Sequence, residues 1–254
     1  MHHPDIAAVA EALVQARRLN RPCDALPLGQ RLGTAADAYA VQALVDSEPG
    51  AGSFPSHWKS GGPSRTAEAT HAPLPAAGVW ASPAAAGAWP FTLRLIEAEI
   101  ALRLGQPVTP EQAAELTLDT APPLVDAMTV SIEIVDSRWQ QGVNAPSLLK
   151  LADLQSHGAL VLGEWVPFAP RDWTAQACTV TIGNAAPMEF RGSHSMGDPA
   201  WVLLAWLRHA TREGRTVPAG TVVTTGTWCG ILPAARGDRV SARFEGLGEA
   251  VVQL

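Results

Sequence analysis

Two glutamates stand two residues apart in LIEAEIALRL, residues 95–104, inside a segment that alternates as a β-strand does. Successive side chains on a strand point to opposite faces. Ile96, Ala98, Ile100, Leu102 and Leu104 therefore share one face, and Leu95, Glu97, Glu99, Ala101 and Arg103 the other. A third carboxylate, Glu133, projects from SIEIVDS, residues 131–137, away from the face shared by Ile132 and Ile134. Three such groups brought together without a counter-charge repel one another and resist ionisation. A divalent cation removes the conflict. An all-oxygen donor set suits Mg2+ or Mn2+ better than Zn2+, and three protein ligands leave about half of an octahedral shell for water or substrate. The same alternation also fits a sheet with one face in water, and spacing alone does not bring Glu133 to Glu99.

Other residues carry weaker signals. Lys59 follows an aromatic in the glycine-rich HWKSGG, where a lysine serves an anionic substrate as counter-charge or proton carrier, or is simply solvated. GTWCGI has no following GK[ST] and is not a phosphate loop, while SMGDP and TTGTWCG read as turns. No G-x-S-x-G elbow surrounds Ser193 or Ser195, which argues against a serine hydrolase. His157, His194 and His209 are scattered and read as surface or packing residues. Cys23, Cys178 and Cys229 are widely spaced and odd in number, with no CxxC pair. They read as reduced thiols of a cytoplasmic protein, not as a zinc site or a nucleophile.

The elements that must position these groups are legible in outline. An amphipathic helix is expected over 5–20, with Ile6, Val9, Ala10, Leu13 and Val14 inward and Arg17 ending the stripe. A second begins near Thr34. Residues 49–90, rich in Gly, Pro, Ser and Ala, read as a functional loop region. Thr109, Pro110 and Gln112 form a capping-box start for a helix that Pro122 and Pro123 break. TVSIEIVDSRW and GALVLGEWV read as strands, with 140–158 irregular. Asp198 caps a helix whose Leu203, Trp206, Leu207 and Ala210 face inward and which Gly214 ends. The tail from Gly220 is β-rich. The pattern is α+β: a small helical N-terminal part and a larger sheet-dominated domain, not a regular βαβ alternation.

Bulk properties narrow the partners. At 254 residues and 47% hydrophobic content the chain can bury a sizeable core, and only 17% charged residues point to a homo-oligomer. A net charge of −6 argues against nucleic acid or an anionic membrane as partner. No apolar run is long enough to span a bilayer, and the N-terminal stretch lacks the features of a signal peptide, so a cytoplasmic location is expected.

Taken in order, ADAYAVQ (36–42), WKSGG, IEAEIALRL, AMTVSIEIVDSRW, ADLQSHGALVLG (152–163), MGDPAWVLLAWL, VVTTGT and GDRVSARFEGLGEAVV resemble the fumarylacetoacetate hydrolase superfamily. The likeness is to its branch of 2-keto-4-pentenoate hydratases and 4-oxalocrotonate decarboxylases. The resemblance implies a fumarylacetoacetase-like domain of mixed β-sheets in a roll over 76–254, behind a small helical region over 1–75. It implies a homo-oligomer, a dimer or larger, and a Mg2+ or Mn2+ site formed by Glu97, Glu99 and Glu133. Lys59 corresponds to the catalytic lysine of the family's G-Y-K-[IVL]-G loop, and Ser60, Arg65, Ser156 and Thr225 are expected to line the substrate site. The implied substrate is a small 2-oxo or 2-hydroxydienoic acid and the implied reaction its hydration, with decarboxylation, acylpyruvate C–C hydrolysis or 2-oxo-acid binding without catalysis as alternatives. As an acid/base, Lys59 would need a lowered pKa, which burial and an adjacent cation both promote. The chain departs from the family pattern in several places. His57 stands at the loop's first glycine and Ser60 at its apolar position. The acid expected after the lysine has no counterpart between Glu68 and Glu97. The ADNASSG-type segment reads ADLQSHG, with Leu154 in place of Asn. Against C–C hydrolysis stands Glu133, where the family's hydrolases more often carry Asp.

Overall fold

A computed structural model describes residues 3–45 and 54–254. Helices α1 (Pro4–Leu19) and α2 (Ala35–Val45) come first. Nine strands form the larger sheet. They are β1 (His57–Gly61), β2 (Thr70–Pro73), β3 (Val79–Ala81), β5 (Leu95–Leu104), β6 (Val125–Val135), β7 (His157–Leu162), β8 (Val166–Pro167), β11 (Val222–Thr224) and β12 (Leu232–Pro233). The order is β2-β1-β11-β5-β6-β7-β3, with β12 paired to β5 and β8 to β6. A five-stranded sheet runs β10-β9-β13-β14-β4, built from β4 (Ala84–Ala85), β9 (Ala177–Ile182), β10 (Met188–Arg191), β13 (Arg239–Phe244) and β14 (Gly248–Gln253). Three more helices, α3 (Pro110–Glu115), α4 (Ser147–Ala152) and α5 (Val202–Ala210), complete the mixed α+β fold expected from the sequence.

The apolar face of β5 explains why the sheets pack. Ile96, Ala98, Ile100, Leu102 and Leu104 are all at most 1% exposed, and they join Ile132 and Ile134 of β6 in one core. Val180, Val240, Phe244 and Val252 of the smaller sheet and Leu203, Trp206 and Leu207 of α5 fill the same core. A second cluster joins α1, α2 and α4 around Trp139. Alternation thus hands the carboxylates to the other face of β5, where only a small apolar group, Leu74, Ala101, Leu160, Leu162 and Val222, accompanies them.

The helices differ from expectation in instructive ways. Val9, Ala10, Leu13 and Ala16 are the buried residues of α1, whereas Val14 is 40% exposed and lies off the stripe. Arg17 ends the apolar stripe and reaches the buried Asp153. The capping box at Thr109 and Gln112 forms, but α3 stops at Glu115, well before Pro122. There the Thr117 N–H donates to the Thr120 hydroxyl and the Thr120 N–H to the Thr117 hydroxyl, a local turn that competes with helix. Asp198 caps as expected, over one 3-10 turn, Pro199–Trp201, that leads into α5. The stretch 140–158, expected to be irregular, contains α4. Of the expected loop region 49–90, residues up to 53 lie outside the described residues and the rest supplies β1 to β4. No helix of the described residues is long and apolar enough to cross a membrane.

Asp153 ties the helical part to the sheet. It is fully buried. Its carboxylate accepts from Arg138 Nε at 2.5 Å and the Arg138 backbone N–H at 2.9 Å, with Arg17 at 3.8 Å. Burial pushes its pKa up, against the pull of Arg138 and Arg17. Removing one partner of a buried pair strands the other, so Asp153→Ala should destabilise the fold by about 3–5 kcal/mol. Urea denaturation followed by tryptophan fluorescence checks this.

Candidate metal centre

Strand register brings the chemistry together. In the antiparallel β5–β6 pair, Glu97 sits directly opposite Glu133, and Glu99 opposite Ser131. Thr224 of β11 lies opposite Ala101 of β5, and Lys59 of β1 lies beside Thr224 in the parallel β1–β11 pair. Because each cross-strand neighbour keeps its side chain on the same face, this face carries Lys59, Thr224, Glu99, Glu97, Ser131 and Glu133 in one patch. One carboxylate oxygen from each of Glu97, Glu99 and Glu133 lies within 4.8 Å of the others.

The patch is deep. Glu99 is 2% exposed and Glu133 fully buried. Burial first, then the charge of Glu133 and that of Glu99, pushes Glu97 up to about 8, against the pull of Lys59. Burial and Glu133 push Glu99 up to about 7, with Lys59, the Thr224 hydroxyl and the Gly226 N–H opposing. Glu133 goes the other way. Burial alone would raise it, but Lys59 and His157 together hold it below the ordinary carboxylate value. Lys59 Nζ donates to Glu133 Oε1 at 2.6 Å and to the Gln155 carbonyl at 3.1 Å. Burial would lower the Lys59 pKa, yet the three carboxylates outweigh it and the amine is held above its ordinary value. Of the two influences expected to lower the lysine pKa, burial acts in that direction here, and among the protein's own groups the contact with Glu133 opposes it most strongly.

The donors fit a hard divalent cation. All three are carboxylates, two are pushed toward protonation by burial and then by their acidic neighbours, and Glu133 Oε2 is buried with no hydrogen-bond partner. A dication offers that orphaned oxygen a partner and relieves the repulsion in one step.

A model of the fumarylacetoacetate (FAA) hydrolase C-terminal family matches residues 65–254. The chain belongs to the fumarylacetoacetate hydrolase family. Glu97, Glu99, Glu133 and Thr224 all fall within this fumarylacetoacetate hydrolase domain, and Lys59 lies just ahead of it. The chain is similar to two 2-keto-4-pentenoate hydratases of Dechloromonas aromatica (strain RCB), 32% identical over 154 residues and 34% over 155. Each match covers 60% of this chain and spans 57% of the relative's length. Among solved structures, 4-oxalocrotonate decarboxylase from Pseudomonas putida G7, complexed with magnesium and adipate, matches with TM-score 0.82 at 20% identity. That match covers 100% of this chain and 98% of that one. Fumarylpyruvate hydrolase from Pseudomonas aeruginosa, in complex with Mn2+ and pyruvate, matches with TM-score 0.54 at 15% identity, covering 78% and 88%. These structural likenesses are of fold.

Within the family fold, the other residues expected at the substrate site disperse. Ser60 points to the opposite side of β1 from Lys59, is 2% exposed, and its hydroxyl pairs with His71 Nδ1 at 2.9 Å. Arg65 is exposed, donates to the Met196 carbonyl and lies over the Trp201 ring at 4.2 Å. The Thr225 hydroxyl is committed to the Ile100 carbonyl at 2.7 Å, so Thr224, its neighbour, is the threonine that reaches Glu99. Ser156 is 5% exposed in a turn where Leu154, Gln155 and Ser156 all have positive φ. His157, read from the sequence as a surface or packing residue, is buried and its Nδ1 lies 3.1 Å from Glu133 Oε1. Neither Thr224 nor His157 is singled out for the site by the sequence; strand alternation in VVTT is the one signal that separates Thr224 from Thr225.

The raised carboxylates give the centre a proton linkage. Their folded values, about 8 and about 7, exceed the ordinary 4.5, so the folded chain holds these protons more tightly than the unfolded chain. The two groups therefore cost the cation-free fold stability as pH rises from 4.5 to about 8. A bound cation displaces the protons and reverses the penalty. Mg2+ or Mn2+ should raise the melting temperature more at pH 8 than at pH 6. Titration calorimetry at pH 7 in buffers of different ionisation enthalpy should show roughly one proton released per ion.

Proposed function

We propose that the chain is a divalent-cation-dependent lyase acting on a small 2-oxo or 2-hydroxydienoic acid, with hydration of a 2-hydroxypenta-2,4-dienoate-type substrate as its reaction. The observation that carries this reading is the convergence of Glu97, Glu99 and Glu133 on one sheet face, with a carboxylate oxygen of each within 4.8 Å of the others. The hydratase relatives, and the divalent ions and small acids held by the structural neighbours, support it.

Glu97, Glu99 and Glu133 would hold Mg2+ or Mn2+. When bound, the ion supplies Lewis-acid stabilisation of negative charge on the substrate's 2-oxygen. The protein's own groups do the rest. Glu133 keeps Lys59 protonated and fixed, with 12% of its side chain exposed. The ammonium is thereby poised to anchor the substrate carboxylate or to deliver a proton to the terminal carbon as the dienol becomes an unsaturated ketone. Water then adds at the fourth carbon, and a proton reaches the third.

A decarboxylase reading is favoured by one observation. From Ala69 to Ile96 the chain holds no carboxylate, so the acid that resembling hydratases place after the lysine has no counterpart here. Loss of CO2 from a 4-oxalocrotonate-type acid uses the same charge stabilisation and only one proton donor.

Assays of dienol absorbance with Mg2+, followed by product mass, separate the two: a gain of water marks hydration, a loss of CO2 decarboxylation. Glu97→Gln, Glu99→Gln and Glu133→Gln should each lower turnover by at least ~100-fold. Lys59→Met should lower kcat by roughly 10²–10⁴-fold while cation uptake persists. Full activity in all three glutamine variants would refute the mechanism.

A further inference from the structure

The two oxygens of Glu133 have different surroundings. Oε1 accepts from Lys59 Nζ at 2.6 Å and from His157 Nδ1 at 3.1 Å, whereas Oε2 is buried with no partner. His157 is 4% exposed, and its second nitrogen, Nε2, is buried and unpartnered. The ring also forms part of the wall of a cleft of about 820 Å3 that Arg17, Arg18 and Trp89 help to line. A buried N–H with no acceptor is costly, so the neutral ring carries its proton on Nδ1, where Oε1 accepts it.

The backbone is shaped to deliver this contact. Leu154, Gln155 and Ser156 have φ of 49, 55 and 59°, three successive non-glycine residues in the left-handed region. Such a run persists only where surrounding structure fixes it, and such sites cluster where function needs them. Here the turn presents the Gln155 carbonyl to Lys59 and starts β7 with His157 beside Glu133. The register between β6 and β7 shifts between Ile134 and Val135, which pairs Val135 with His157. Gly158 keeps the strands close, since a Cβ there would meet the Ile134 carbonyl at 2.6 Å.

We infer that His157 is a positioning residue for the metal centre: its Nδ1–H pins Glu133 Oε1, fixing the carboxylate so that Oε2 is the oxygen offered to the cation. This rests on the metal-centre reading above and adds a residue that acts through Glu133 without touching the ion.

Cation affinity, measured by calorimetry with Mn2+, tests it directly. His157→Asn keeps an N–H near the place of Nδ1, whereas His157→Gln puts its N–H near that of Nε2. Both lose the ring, so the difference between them reports the position of the donor and not the loss of packing. Thermal melts of the cation-free proteins show that each is folded. The Asn variant should bind within about threefold of the wild type, and the Gln and Ala variants about 10–100-fold more weakly. If Gln and Ala bind as tightly as the wild type, or if Asn is weakened as much as they are, the positioning role is overturned and the metal centre stands. If the wild type takes up no Mn2+, the metal centre and this role fall together.

Discussion

Mutual repulsion among three clustered carboxylates, Glu99 and Glu133 buried and Glu97 half-buried, is the constraint around which the larger sheet is organised. Glu97 and Glu133 face each other across adjacent strands, and Glu99 lies one pleat further along. Like charges directly opposite one another weaken a sheet, and burial compounds the cost. The fold answers with a lysine from β1, a threonine from β11 and a histidine from the start of β7, each bonded to one of the glutamates. These donors satisfy Glu133 Oε1 and one oxygen of Glu99 and leave Glu133 Oε2 bare. The residual demand is for a compact positive charge, which is what a hard cation supplies.

The opposite face of the same strands makes this tolerable. Ile96, Ala98, Ile100, Ile132 and Ile134 are fully buried against the second sheet and α5. At about 25 cal/mol per Å2 of apolar surface removed from water, such a face contributes far more than the local conflict costs. One strand pair therefore serves as the main support of the core and as the floor of the site. The period of two keeps the roles apart: slipping the register by one residue would place the glutamates in the apolar core.

Much of this was readable before the structure. The alternation in LIEAEIALRL and SIEIV fixes which face each glutamate takes, and the capping residues at Thr109 and Asp198 mark helix starts correctly. Cross-strand register was not readable, because tertiary packing sets it. Helix ends decided by local side-chain bonding also escaped, as at Thr117 and Thr120. So did α4, whose six residues are too few to show a period. Within the site, Lys59 stood out through its glycine-rich surroundings. His157 did not, because its role comes from a register shift and a left-handed turn that leave no compositional mark. Thr225 is the threonine expected at the site from the sequence, whereas the structure turns Thr224 to Glu99 and commits the Thr225 hydroxyl to the Ile100 carbonyl.

The parallel pairing of β1 with β11 has a kinetic meaning. His57 aligns with Val222 and Lys59 with Thr224, so residues from the first and last quarters of the chain lie side by side next to β5. Contacts of such large sequence separation form slowly, since the intervening loop must close before they yield any gain. The acidic pair on β5 and its partner on β6 can associate early as a local hairpin-like unit, but the lysine and threonine that temper them arrive only when nearly the whole polypeptide is in place. The centre is therefore complete only once Thr224, in the last quarter of the chain, has docked beside β5.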